Sequence, residues 1–440
     1  MGCRYAFSCK FLLIIFTLCQ FVAPNFGPFG DCFDLFNIFH NNWCKEKVEV
    51  ESRSLDQMYT SALTEGGKLV VYAGGTMRGQ QDLLKQAFEQ RFPNISIAIP
   101  VDYSVFQGPR VDLQMVTPEG IVPDIVMLQT LQDFARWKWL GKLVAYKPRG
   151  WDKVYGAFRD QDGFYTGLNV MVLGSTINKN LVSSNASDRS LTFGDLLKPE
   201  FSNGNIGTVD PSYDDAVLFL YKQIIDKFGW GWLSQFAKQN PRLICGGIPL
   251  AAMVENGTVK VAPALASIED GQEGARRGGG KIDERHRRLT AGPEGPANQT
   301  PRISADFFQP VGIGGFGSFP NNANAATEFV MLADNDPFTT YAMYAAILKG
   351  TKHPEAAKLF MSWQLDTDGP SSVQTWSVRT DVQPKQNRRQ IWDYPNSSHQ
   401  KFVEFMSNID GRQRFGRQIA LFLDISKCVI RPLETDVRPQ

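Results

Sequence analysis

The run Val70-Val71-Tyr72-Ala73-Gly74-Gly75-Thr76-Met77-Arg78-Gly79-Gln80-Gln81 passes from an apolar strand pattern, through two glycines, into a helix pattern. Glycines at such a junction serve a tight turn or a close approach of the backbone to something else. Gly74, Gly75, Thr76, Met77 and Arg78 are therefore a candidate ligand-binding turn. Amides at a helix start, a hydroxyl and a guanidinium suit an anion. The plainer reading is a tight turn with Arg78 in solvent.

The surroundings set the fold class. Leu55, Met58, Tyr59, Ala62 and Leu63 keep helical spacing and stop at Gly66-Gly67. Lys68–Ala73 reads as a strand, Gln80–Phe92 as a helix ended by Pro93, and Ile95–Val101 as a second strand. A helix over Val111–Val116, a buried strand over Pro123–Leu128 and a helix over Leu131–Leu140 continue the pattern. Later, Ser212–Phe228, Trp230–Lys238 and Pro249–Glu255 read as helices and Val259–Ala262 as a strand. Further periodic segments follow at Glu328–Leu332, Tyr341–Leu348, Pro354–Leu365 and Gln400–Gly411. Strands alternating with helices predict an α/β protein with a largely parallel sheet covered on both faces.

The bulk composition narrows the function. The chain has 440 residues, 43% apolar, with 46 basic against 45 acidic residues. That length suits about two domains. A net charge of +1 offers nothing to nucleic acid or to an anionic membrane. Residues 1–23, with Arg4 and Lys10 before the apolar run Phe11–Ala23, predict a secretory signal peptide and an extracellular protein. Residues 24–52 read as an irregular leader. Outside the signal remain Cys32, Cys44, Cys245 and Cys428, which allow three full pairings. Sequons at Asn94, Asn185, Asn256, Asn298 and Asn396 fit a secreted glycoprotein. Residues 268–302 are charged, glycine-rich and nearly devoid of core formers, so they predict a disordered insert. It is either a surface loop or the product of a misread gene. Gly312, Gly314, Gly315 and Gly317 follow, but Pro320 and two asparagines stand where a dinucleotide-binding helix would start.

Catalytic signatures are missing. The sequence has no GxSxG, phosphate-loop, HExxH or CxxC pattern and only four histidines, which favours binding over catalysis. Two further stretches join the opening turn as candidate ligand-binding residues. Gln129 and Thr130 directly follow the buried strand, where ligands bind in parallel sheets. Ser212, Tyr213 and Asp214 belong to the helix start Asp210–Asp215. Each also has a plain reading as a helix cap.

Several runs resemble a known family. Arg53–Tyr59 with Ala62–Gly75, Gln86–Pro93, Val122–Val126 with Trp137–Leu143, Tyr165–Val170, Leu191–Phe201 and Leu348–Lys358 are similar to segments of ABC-transporter solute-binding proteins of the ferric-iron-binding-like group. The resemblance covers roughly residues 52–267 and 326–430. It implies a two-lobed type II periplasmic-binding-protein fold with a hinge, lobe one being 55–167 plus 328–440 and lobe two 168–327. It also implies a non-enzymatic, monomeric protein that captures a small anionic or polar ligand by hinge closure and works with a membrane transporter or receptor. An enzyme on the same fold, or a secreted interaction protein without a ligand, are the alternatives. Iron-binding members use a histidine after the first strand and tyrosines in lobe two; this chain has Gly75-Thr76 and Ala262–Ser267 there. Ferric iron prefers hard anionic oxygen donors, so no metal and no cofactor are expected.

Overall fold

The computed structural model describes residues 48–425, apart from Met77, 183–190, 245–246, 268–325, 331–335, 368, 373–375, 385–388 and 395–398. The expected signal peptide, nearly all of the leader, the insert and every cysteine lie outside the described residues. Sequons Asn94 and Asn256 lie within them, both exposed on turns.

Strand β1 (Glu49–Val50) precedes helix α1 (Leu55–Leu63), opened by a capping box between Ser54 and Gln57. There follow β2 (Lys68–Gly74), α2 (Asp82–Arg91), β3 (Ser96–Ala98), β4 (Val101–Asp102), α3 (Ser104–Gln114), β5 (Ile125–Leu128), α4 (Leu131–Trp139) and β6 (Tyr146–Lys147). Next come β7 (Thr166–Asn178), β8 (Gly207–Val209), α5 (Asp215–Phe228), α6 (Trp230–Lys238), β9 (Arg242–Ile244), α7 (Gly247–Glu255) and β10 (Val261–Ser267). The described chain closes with β11 (Thr327–Val330), β12 (Thr339–Ile347), α8 (Pro354–Gln364), α9 (His399–Ser407) and α10 (Ile409–Ile419).

Differences from the expected elements have local causes. The strand expected over Ile95–Val101 divides into β3 and β4 around Pro100, which has no amide proton to give a ladder. The helix expected from Ser212 begins at Asp215, because Asp214 and not Ser212 supplies the cap. The segment Gln400–Gly411 breaks into α9 and α10 at Asn408, whose side chain accepts from the Gly411 amide.

The main sheet runs β10-β7-β12-β5-β2-β3 and is mixed. β3, β4 and β5 lie parallel to β2, whereas β12 is antiparallel to both β5 and β7. β7 is long enough to serve two partners. Its first part pairs with β12, Thr166 opposite Ala345 through Leu173 opposite Thr339. Its second part pairs with β10 and β11. A bridge from Ile206 to Val261 then joins the parallel pair β8–β9 to this end of the sheet.

Packing at the β2 end is aromatic. Phe88 of α2 and Phe92 just after it meet Phe360 and Trp363 of α8, with ring centroids 5.2–6.2 Å apart. Such pairs contribute about 0.5–1.5 kcal/mol each beyond their buried area. Polar locks hold the same region. Asp124, almost fully buried, accepts from the Val70 amide (2.8 Å) and the Thr351 hydroxyl (2.6 Å) and touches His353 Nδ1 at 3.1 Å. The Glu65 carboxylate accepts from the amides of Glu355 and Ala356, capping α8.

Two stability outcomes follow. A Cβ on Gly74 would stand 2.2 Å from Ser104 Oγ, so Gly74→Ala is expected to cost roughly 1–3 kcal/mol in urea unfolding. Adding Ser104→Ala removes the clashing oxygen and should restore most of the loss; an additive double variant would contradict the packing account. Asp124→Ala, which strands three partners at once, is expected to lose about 2–4 kcal/mol in the same assay.

Candidate functional site

Parallel pairing brings three strand ends to one edge: Gly74 sits opposite Asp102, and Ala73 opposite Met127. The residues that follow, at 75, 103 and 129, therefore share the carboxyl edge of the sheet, the usual place for a ligand in such folds. β12 runs the other way, with Tyr344 opposite Leu128, so Tyr341 projects beyond that edge towards β7 and α5.

At the opening turn the backbone amides are already taken up. The Gly75 amide donates to the Asp102 carbonyl (2.9 Å), and the Thr76 amide to Gln80 Oε1 (2.8 Å). Gly75 is buried against Val101 and Gln80, where a Cβ would come within 2.5 Å of Val101. The two glycines thus admit the neighbouring chain. Thr76 is half-buried and Arg78 exposed; Met77 lies outside the described residues. Beside the turn, buried Asp102 pairs with Arg110 at 2.7 Å and accepts from the Tyr103 amide at 2.8 Å. Removing Arg110 from such a pair would cost about 3–5 kcal/mol, since a buried charge would lose its counterion.

The second stretch reaches towards the third. Tyr341, with 2% exposure, directs its hydroxyl at Gln129 Oε1 across a long 3.5 Å contact. Burial pushes the Tyr341 phenol well above its usual range, and the nearby Asp214 carboxylate adds to the effect. The Gln129 backbone amide also donates to Ser104 Oγ (3.4 Å). Thr130, buried, precedes α4 without a side-chain cap.

In the third stretch, Asp210 Oδ1 accepts from both the amide and the hydroxyl of Ser212, at 2.8 and 2.7 Å. Tyr213 is half-buried, and Ser212 is exposed. Asp214 Oδ1 accepts from the Ala216 and Val217 amides, at 2.9 and 3.1 Å. Burial raises the Asp214 carboxyl to about 6 against those two bonds, with help from the Asp215 charge. Asp215 pairs with Arg412 at 3.4 Å, and its own carboxyl is raised by burial, with Asp133 of α4 contributing.

Tyr341 thus reaches Gln129 from the crossing strand, within electrostatic range of Asp214. The sequence reading did not find it, because a tyrosine inside an apolar strand pattern reads as core. Its place in β12, opposite Met171 of β7 and beyond the end of β5, is the signal, and that exists only once the strands are paired. Internal acceptors take up the amides of the opening turn, through Gln80 and the Asp102 carbonyl, and those of the α5 start, through Asp214.

No protein-family model and no curated protein matches the chain. Solved structures do. Iron-bound HitA from Pseudomonas aeruginosa aligns with a TM-score of 0.55 at 14% identity, over 80% of this chain and 99% of its own. The periplasmic binding protein AfuA from Actinobacillus pleuropneumoniae, with fructose-6-phosphate bound, aligns at 0.54 and 15% identity, over 81% and 99%. The ferric binding protein from Campylobacter jejuni aligns at 0.52 and 15%, over 80% and 99%. The chain has the two-lobed α/β fold of the periplasmic substrate-binding proteins of ABC transporters.

Proposed function

We propose that this protein is a non-enzymatic solute-binding protein that captures a small polar ligand between the two ends of its sheet, by closure about β7 and β12. What supports this reading is the contact of Tyr341 with Gln129 at the sheet's carboxyl edge, with the Asp214 carboxylate at the start of α5 near enough to act on the Tyr341 phenol. Lobe one is taken as 55–167 plus 328–440 and lobe two as 168–327, except that α10 rests on α5 and α6 through Phe415 and Gly416. Export through residues 1–23, and delivery of the ligand to a membrane transporter or receptor, complete the proposal.

An amide, a phenol and a carboxylate suit a ligand that brings hydrogen-bond donors. With the Gly75 and Thr76 amides and the α5 start already satisfied, a strongly anionic ligand is a poorer match than a neutral, hydroxyl- or amine-bearing one. Gly74, Gly75, Thr76, Met77, Arg78, Thr130, Ser212 and Tyr213 remain the proposed frame, with Arg78 at its exposed margin.

Native mass spectrometry of protein secreted from a eukaryotic host, without dialysis, is the direct test. A discrete added mass, lost on denaturation, is expected. Tyr341→Phe should lower its retention about tenfold, the loss of one hydrogen bond to a charged or polar partner. A bare polypeptide in every preparation would count against ligand capture.

Asp214 supplies a second test. Its folded-state pKa lies above the unfolded value, so its stabilising contribution is complete below about pH 4 and is lost as pH rises through 6. Asp214→Asn keeps the cap acceptor but cannot ionise. It should therefore gain roughly 1–2 kcal/mol over the parent between pH 4 and pH 7 in urea unfolding. Parallel pH profiles would show that Asp214 is not perturbed.

A further inference from the structure

Helix α9 lies across the junction of the two sheet ends. Its first residue, His399, is seated at the lobe-one end: the Tyr344 hydroxyl of β12 meets its Nε2 at 2.5 Å, and its ring stands edge-on to Phe158 at 4.7 Å. Three residues on, Phe402 packs on Tyr341 of β12 (5.5 Å) and on Phe219 of α5 (5.4 Å). Phe405 continues onto Phe219 (5.3 Å) and reaches Phe415 of α10. α9 therefore packs against α4, β12 and α5 at once. At its far end, α10 is tied to the first residue of α5 by the Arg412–Asp215 pair.

We propose that α9 is a clasp: it holds the two lobes in the arrangement seen here, and Phe402 links its seating to Tyr341 at the candidate site. The spacing explains how one short helix does this. Positions 399, 402 and 406 are buried on one stripe, and 402 and 405 bring rings to the lobe-two side. Rotation of the lobes about β7 and β12 must pull α9 off Phe158 and Tyr344 at one end or off Phe219 at the other. Burial holds His399 neutral, with its pKa lowered to about 4, so this seat is apolar in character at neutral pH. The charged groups at its other end are Asp215 and Arg412, which already neutralise each other.

The clasp concerns the lobe geometry and stands whether or not the ligand reading holds. It is tested on the full chain, without ligand, by hydrogen exchange and small-angle X-ray scattering on the parent and two variants. Phe402→Ala is expected to raise exchange at Thr339–Tyr341 and Met171–Leu173 by at least about tenfold and to enlarge the radius of gyration, while α1 and α8 keep parent rates. Tyr344→Phe removes only the hydroxyl that meets His399, and serves where the alanine variant does not fold. It should move the same strands in the same direction, more weakly. Faster exchange confined to α9, with the crossing strands and the radius unchanged in either variant, would overturn the proposal.

Discussion

Everything in this molecule hangs on the antiparallel pairing of β7 with β12. β12 carries β5, β2 and β3 on one side; β7 carries β10 and β11 and, through them, β8 and β9. Among the described strands no other pairing joins these two groups. All thirteen residues of β7 and all nine of β12 are buried, and apart from Asn169 and Asn178 of β7 both strands are built of apolar, aromatic, glycine or small hydroxylated residues. A register slip of one residue would turn every side chain to the wrong face and misplace Tyr341.

Away from that strand pair, the β2 end of the sheet is fixed by polar locks between segments far apart in the chain. Asp124 ties the start of β5 to the amide of Val70 and to Thr351 and His353 before α8. Glu65 caps α8 from the end of α1, and Arg53 pairs with Glu355 at 2.6 Å. Each of these residues falls in one of the runs that resemble solute-binding proteins. Those runs are structural fasteners. They identify the architecture well because the same contacts are needed whatever the ligand is, and for the same reason they say little about it.

The candidate site is put together differently. Gly74 and Gly75 were legible as a special turn, but their reason is internal: Ser104 and Val101 occupy the space where a Cβ would go. The amides that looked available to an anion are satisfied by Asp102 and Gln80. Gln129 and Asp214 were also legible, as residues after a strand and before a helix. Nothing in local sequence distinguishes a cap that also faces a ligand from one that does not, and Asp214 is plainly a cap. Tyr341 and Phe402 were not legible at all, since their importance comes from what they touch.

The sequence by itself determined the alternation of strands and helices, the glycine stop after α1, the buried strand β5 and the resemblance to a two-lobed binding fold. Those features rest on periodicity, turn chemistry and residues within a few positions of one another. Tertiary structure alone decided that α9 packs against α4, β12 and α5, that α10 lies against α5 and α6, and that Tyr341 reaches Gln129. These are contacts across 55 to more than 200 residues of chain. The register of paired strands sets them, and that register is a property of the assembled sheet.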